Sequence, residues 1–364
     1  MKSLYKGFLT LIKDYTFNRL SYMLNYPLIK PWRVNFDITH SCPFKCIMCN
    51  IWKEKANPKK ELNLTDLKKL IDQIHEWGID HISFAGGETL VRAKDVVELI
   101  KCASKKGIRT DLITNGYFLD EKLCGELLKA KVSKISLSVD GAKRKTHDLI
   151  RGKGNFDKIM KTAKIFKRIK EEMKSKVELE FTTVVMSYNF RELVDIFYLM
   201  RKMKFDYINY QAVVPDNTFV RKPETFYQFY KSDMWIGKKN IPKLRRVVRK
   251  LVILKKQTGQ IRNTRKYLLL IPEYFEKKYN FRYGKCIVGY SYINIDPYGN
   301  INICGLGPNL NVRGYKLKNL WKIKQYNRTR TMIRMCRRPC LMLCYERLDL
   351  KGIIQAWLEL RGWI

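Results

Sequence analysis

The stretch "SCPFKCIMCN", residues 41–50, puts three cysteines, Cys42, Cys46 and Cys49, on one short segment. A structural metal site closes on four ligands, so this segment stands one thiolate short. The preceding "WRVNFDI" (32–38) reads as a strand, which places the cysteines in the loop at its C-terminal end. His40 is the one other candidate ligand in that loop, and its place at the strand end makes it a poor one.

Downstream of the loop, helix and strand patterns alternate. A helix is expected over 65–77, then "DHISFAG" (80–86) with a helix near 94–106. "IRTDLIT" (108–114) precedes a helix near 120–131, and "VSKISLSVD" (132–140) one near 156–174. "VELEFTTVV" (177–185) and "YINYQAV" (207–213) bracket a helix near 190–203. About six βα units of this kind predict an α/β fold with a parallel sheet, closed into a barrel or left open. Functional loops then gather at the C-terminal ends of the strands.

Beyond the strands the texture changes. Residues 238–266 carry twelve Lys or Arg and no acid, yet "LRRVVRKLVIL" keeps helical periodicity, which reads as a basic linking helix. From 286 onward short turns, Gly and cysteines take over. The expected division is an amphipathic segment at 1–30, the barrel at 31–220, a basic helical linker at 221–280, a small cysteine-bearing domain at 281–347 and an amphipathic tail at 348–364.

The chain has 364 residues, 46% of them hydrophobic, ten cysteines and a formal charge of +38. That length is enough for a large α/β domain plus something smaller, too long for a simple binding module, and the composition excludes a disordered chain. No secretion signal or apolar run near 18 residues is present, so the cysteines point to a reducing, cytoplasmic setting where thiols serve metals or chemistry. The charge calls for a polyanionic partner: an anionic membrane surface, nucleic acid or an acidic substrate.

An incomplete cysteine set suits a 4Fe–4S cluster with one open iron, much as catalytic zinc keeps an open position. "CPFKCIMC" resembles the CxxxCxxC loop of the radical S-adenosylmethionine superfamily. The resemblance continues through "AGGET" (85–89), "TNG" (114–116), "SVDG" (138–141) and "HDLIRG" (147–152), each after a strand where one belongs.

This resemblance implies a partial (β/α)6 TIM-like barrel and a 4Fe–4S cluster held by Cys42, Cys46 and Cys49. It also implies S-adenosylmethionine as cofactor, cleaved reductively to a 5′-deoxyadenosyl radical with an electron from an external donor such as ferredoxin or flavodoxin. Gly86 and Gly87 would let backbone approach the methionine amino group, with Glu88 supporting the turn; Thr89 stands where the family usually has proline. Met48 would lie beside adenine, Ser138 would meet ribose, and Arg151 would pair with the carboxylate.

A second group, Cys286, Cys304, Cys336, Cys340 and Cys344, with Gly299 five residues before Cys304 and "LKNLW" nearby, resembles the SPASM or twitch auxiliary domain. Five cysteines imply one auxiliary 4Fe–4S cluster, four of them ligating; a zinc knuckle is the alternative. Cys102 and Cys124 read as core residues.

The ends of the chain suggest where the substrate lies. Leu4, Tyr5, Phe8, Leu9, Leu11, Ile12 and Tyr15 share one helical face opposite Lys2, Lys6 and Lys13, and Leu350, Ile353, Ile354, Trp357, Leu358 and Leu360 share another. No acid stands between Asp296 and Glu346. The leading expectation is a peripheral membrane enzyme acting on a lipid or lipid-linked substrate. The alternatives are a SPASM-type peptide or protein maturase, for which 41 residues ahead of Cys42 leave no room for a recognition domain, an RNA-modifying enzyme, and a non-catalytic cluster scaffold. General acids and bases are not singled out; Tyr210 and Asp216 are among the candidates.

Overall fold

Val34 and Phe36 of β1 (Arg33–Asp37) are only 0% and 1% exposed, and Phe36 stacks on Phe84 of the neighbouring strand at 6.1 Å between ring centroids. Because side chains alternate along a strand, Asn35 and Asp37 fall on the opposite face. The same alternation buries Ile82, Leu112, Ile135 and Leu179 beneath the helices. It leaves Ser83, Asp111, Ser136 and Glu180 on a polar inner face.

The computed structural model describes residues 2–53, 56–214, 229–281, 284–304 and 306–343. Parallel pairing joins β1 to β2 (His81–Ala85), β3 (Arg109–Thr114), β4 (Lys134–Ser138), β5 (Glu178–Val185) and β6 (Tyr207–Ala212) in sequence order. The helices between them are α2 (Leu64–Glu76), α3 (Ala93–Lys105), α4 (Glu121–Lys129), α5 (Arg144–Arg151), α6 (Asn155–Glu172) and α7 (Leu193–Lys202). Each strand–helix repeat expected from periodicity is present, and the (β/α)6 sheet is open rather than closed into a barrel.

Local chemistry starts the helices. Before α2, the Asn63 side chain accepts from the Asp66 N–H at 2.9 Å, and the Asp66 carboxylate accepts from the Asn63 N–H. This reciprocal pair satisfies two of the amide donors that a helix start leaves open. Leu67, Leu70, Ile71 and Ile74 then recur at helical spacing and are buried.

The other side of β1 holds β7 (Tyr292–Ile295), again in parallel, with Arg33 opposite Tyr292 and Asn35 opposite Asn294. Antiparallel β8 (Asn300–Ile303) and β9 (Leu306–Asn311) complete a nine-stranded sheet of order β6-β5-β4-β3-β2-β1-β7-β8-β9. At the junction Asn35 donates to Asp37 (3.0 Å) and to Asn294 (2.5 Å), and Asn294 donates to Asp37 (2.9 Å). The C-terminal cysteine region is therefore continuous with the barrel sheet.

Residues 238–266, expected as a basic linking helix, contain α8 (Ile241–Thr258), stopped by Gly259 at φ +68°, and a strand-like return that bridges Ile261 to Ile208 of β6. With α9 (Arg265–Lys277) this segment covers the outer edge of the sheet, burying Ile241, Leu244, Val248 and Leu251. Covering an edge strand blocks pairing with another chain. A last helix, α10 (Lys324–Met335), runs from the auxiliary hairpin toward Cys336.

At the N-terminus, α1 (Lys2–Leu24) is one continuous helix. The side chains of residues 2–11, and so most of the expected apolar face, lie outside the described residues, as do Cys344, Asp216 and the tail. Among the described residues no helix is long and apolar enough to cross a membrane.

Candidate cofactor and cluster site

The cysteine loop is fastened to β2 through the glycine pair and the residue after it. Gly87 donates its N–H to the Thr39 carbonyl at 2.7 Å, and Glu88 donates to the Ser41 carbonyl at 2.9 Å. A Cβ on Gly87 would lie 2.6 Å from the Ser41 carbonyl and 2.7 Å from that of His40. Gly86 adopts φ +126° and passes as close to Thr39, so both positions require glycine. The Gly87 and Glu88 N–H groups are spent on the loop, and an amino group is itself a hydrogen-bond donor, so the groups left for a methionine amine are carbonyls.

Glu88 ties the next two strand ends together. It is 1% exposed and accepts from the Leu90 N–H (3.0 Å), the Thr114 hydroxyl (2.6 Å) and the Asn115 N–H (2.8 Å). Burial raises its pKa against the pull of these donors. Asn115 then directs its amide nitrogen to the Cys42 sulfur at 3.9 Å, and the Phe44 N–H points to the same sulfur at 3.5 Å. Donors aimed at a sulfur favour its thiolate form.

On the opposite side, Arg151 ends α5 and is 9% exposed. Its Nε donates to the Oδ2 of Asp140 at 2.6 Å. Asp140, fully buried after β4, also accepts from the Val184 N–H at 2.6 Å. The Arg151 charge favours ionisation of Cys46, and Cys49 lies close enough to act electrostatically on both. Ile47 donates to the Ile150 carbonyl at 3.0 Å, which laces the loop to α5. Among the described residues only the Nε of Arg151 is engaged in hydrogen bonding, so the fork keeps its terminal nitrogens for another acceptor.

The remaining expected residues fall on the same rim. Met48 is partly buried against the core, and Ser138 is half-buried at the end of β4, in register with Thr182. His40 packs edge-on against Tyr298 at 5.6 Å. Tyr210 is buried, and its hydroxyl donates to the carbonyl of Leu193 at the start of α7.

In the second group, Cys304 follows β8 at φ +55° and Cys336 caps α10; burial, with Cys336 nearby, pushes the Cys304 thiol up to about 11. Arg338 donates to the Cys304 carbonyl at 3.4 Å. Cys286, Cys340 and Cys102 of α3 are partly exposed, Cys286 and Cys102 both packing against the core, and Cys124 of α4 is buried in it.

Sequence pattern marks "TNG" and "SVDG" without giving Asn115 or Asp140 a role. A signal for both exists: Asn115 directly follows β3 and Asp140 stands two residues past β4, polar residues at strand ends where side chains reach the site. Asp37, half-buried and raised in pKa by desolvation, has a similar signal at the end of β1.

These residues suit a cluster. Burial pushes the Cys42 thiol up to about 11 and raises that of Cys46 as well, so these two thiols are neutral until a cation replaces their protons. Among the described residues no three His, Cys, Asp or Glu side chains gather tightly enough for one ion. A cubane places its thiolates on separate irons and asks for wider spacing.

An open parallel sheet with a three-cysteine loop after its first strand defines a class of iron–sulfur protein, and comparison with known proteins gives the family. Residues 36–200 match the radical SAM superfamily model, so this part of the chain is a radical SAM domain. It is 32% identical over 195 residues to Fe-coproporphyrin III synthase of Methanosarcina barkeri, covering 53% of this chain and 47% of the relative.

It is 28% identical over 276 residues to PqqA peptide cyclase of Bradyrhizobium diazoefficiens, covering 75% of this chain and 66% of the relative. The chain thus spans about half the length of the first relative and two thirds of the second. Among solved structures, native anSMEcpe with bound AdoMet and Cp18Cys peptide has the same fold, with a TM-score of 0.61 at 17% identity over 92% of this chain and 96% of that one.

Proposed function

We propose that this protein is a radical S-adenosylmethionine enzyme that modifies a side chain of a peptide or protein. The observation that carries the reading is the convergence of three cysteines of one loop, the Gly86–Gly87 pair and the buried Arg151 on one rim of the sheet. A 4Fe–4S cluster and S-adenosylmethionine bound there would supply a 5′-deoxyadenosyl radical. Cys42, Cys46 and Cys49 would hold the cluster, Arg151 would pair with the cofactor carboxylate, and the carbonyls of Gly86 and Gly87 would accept from its amino group. Met48 and Ser138 stand at the rim for adenine and ribose. Cys286, Cys304, Cys336, Cys340 and Cys344 would supply the ligands of an auxiliary cluster.

The peptide reading displaces the lipid substrate expected from the chain ends. A relative named as a peptide cyclase matches three quarters of this chain, and a peptide-bound structure shares its fold across both the barrel and the cysteine-rich part. The decisive experiment reconstitutes the protein without oxygen, reduces it with S-adenosylmethionine, and adds candidate precursor peptides encoded beside its gene. Mass loss of two hydrogens or formation of a cross-link supports the reading. Release of 5′-deoxyadenosine with every such peptide unchanged, and modification of a co-purifying lipid instead, ends it.

A lipid surface keeps one supporting observation: Met23 and Leu24, at the end of α1, are 68% and 63% exposed. Flotation with anionic vesicles tests it; protein left in the soluble fraction at low salt rejects it.

A further inference from the structure

Arg330 is 0% exposed on the inner side of α10, and among the described residues no carboxylate pairs with it. Its guanidinium donates to uncharged acceptors alone: Nε to the Gly289 carbonyl at 3.0 Å, one terminal nitrogen to the Trp321 carbonyl at 2.6 Å and the other to Asn327 Oδ1 at 2.6 Å. The rings of Tyr326, Trp321 and Tyr290 lie 4.4, 4.6 and 5.6 Å from its central carbon. Burial lowers its pKa to about 10, which still leaves it charged at neutral pH. Carbonyls and ring faces solvate such a charge without neutralising it, and an unpaired buried cation is costly.

A second unmatched group stands one turn earlier on the helix. Tyr326 is 2% exposed, and its hydroxyl has no hydrogen-bond partner among the described residues. Burial raises its pKa, the Arg330 charge opposes that, and the Cys304 thiol adds to it, so Cys304 lies within electrostatic reach of the phenol. Other cysteines of the second group close around the same pair. Gly289, which takes the Nε hydrogen bond, stands three residues after Cys286, and Cys336 caps the helix that carries both side chains. A Cβ on Gly289 would meet Ile333 at 2.8 Å and Arg330 at 3.4 Å, so α10 is pressed onto that turn.

A cation without an anion and a donor without an acceptor, set among thiols, call for one thing: a negative charge that accepts a hydrogen bond. An iron–sulfur cluster on four thiolates is such an anion, and it becomes more negative when it takes up an electron.

We propose that Arg330 and Tyr326 serve the auxiliary cluster, the guanidinium as its buried counter-charge and the phenol as a donor to the Cys304 sulfur, and that together they raise its reduction potential. The proposal rests on the reading of the second cysteine group as an iron–sulfur site. Both groups favour the reduced form, the more negative of the two, so removing either lowers the potential. The phenol has no other hydrogen bond to lose, so in the cluster-free protein its removal is close to neutral.

The experiment uses the full-length reconstituted protein carrying Cys42→Ala, Cys46→Ala and Cys49→Ala, so that the iron it holds belongs to the second group. The paramagnetic resonance signal of the reduced cluster is followed in a potentiometric titration. Tyr326→Phe is expected to bind as much iron as this parent and to show a lower midpoint potential. Arg330→Gln should lie lower still, with Arg330→Lys, which keeps the charge, between it and the parent. Before reconstitution Tyr326→Phe should melt no lower than the parent, which separates a lost bond to sulfur from lost packing. An unchanged midpoint in Tyr326→Phe overturns the proposal, as does an Arg330→Gln midpoint equal to that of the parent; where Arg330→Gln takes up no iron, the Tyr326→Phe midpoint decides. A parent that holds zinc, or no metal, in place of iron shows instead that the auxiliary-cluster reading is wrong, and the proposal falls with it.

Discussion

The Nε of Arg151 meets the Oδ2 of Asp140 at 2.6 Å, so the end of α5 is oriented by a carboxylate buried behind β4. Arg151→Lys keeps the charge but cannot both hold Asp140 and present a planar fork. It should weaken S-adenosylmethionine binding by roughly 10- to 100-fold, the range of one lost charge-assisted hydrogen bond. Anaerobic calorimetry on reconstituted protein measures this, and an unchanged affinity would refute the assignment of Arg151 to the cofactor carboxylate.

At Gly87 an added methyl meets two carbonyls at 2.6 and 2.7 Å, both on the cysteine-loop backbone that Gly87 and Glu88 hold by hydrogen bonds. Gly87→Ala should cost about 3 kcal/mol and lower iron uptake on reconstitution. Gly125→Ala is the counterpart: Gly125 lies in α4 with nothing near the added methyl, so the change should stabilise by about 0.5–1 kcal/mol. Thermal melts and iron content compare the pair.

His147 accepts from the Asp140 N–H through Nδ1 at 3.3 Å, and burial, with the charge of Arg151, lowers its pKa to about 3. The folded state thus holds a neutral imidazole that the unfolded chain would protonate near pH 6.5. Its contribution is whole above that pH and is lost as pH falls toward 3. His147→Asn keeps an acceptor near Nδ1 without the titration, so its melting temperature should fall less between pH 7 and 5 than that of the wild type. Parallel slopes in the two proteins would contradict this.

The two cysteine groups should separate in iron content. Replacing Cys42, Cys46 or Cys49 by Ala should abolish 5′-deoxyadenosine release and the spectroscopic response to S-adenosylmethionine. Cys304→Ala should remove only one cluster's iron and leave that response. Cys124→Ala should change neither, because its thiol is core packing in α4. Loss of iron in the Cys124 variant would show that the core assignment is wrong.

Much of this fold is readable from the sequence because parallel α/β units write themselves in local periodicity. Val34 and Phe36 alternate with polar neighbours, and Leu67, Leu70, Ile71 and Ile74 recur at helical spacing. What local pattern does not carry is partnership. Asn294 finds Asn35 and Asp37 across some 257 residues, and nothing near Tyr292 announces that its strand lies beside β1. Residues 238–266 show the same limit: periodicity gives the helix, but only packing places Ile261 against Ile208 and makes a supposed connector into a cover for the sheet edge. At the site, the glycines and cysteines stand out as rare residue types, whereas Asn115 and Asp140 are common ones whose importance depends on what lies opposite them.

The pairing of β7 with β1 bears on how this molecule can be taken apart. The strand that launches the cysteine loop has its second flank covered only by the C-terminal region, so trimming that region would strip a central ladder and bare a sticky border. Grafts between relatives that cut the chain after α9 would inherit this wound. A workable chimera has to carry β7 along with whichever parent donates β1.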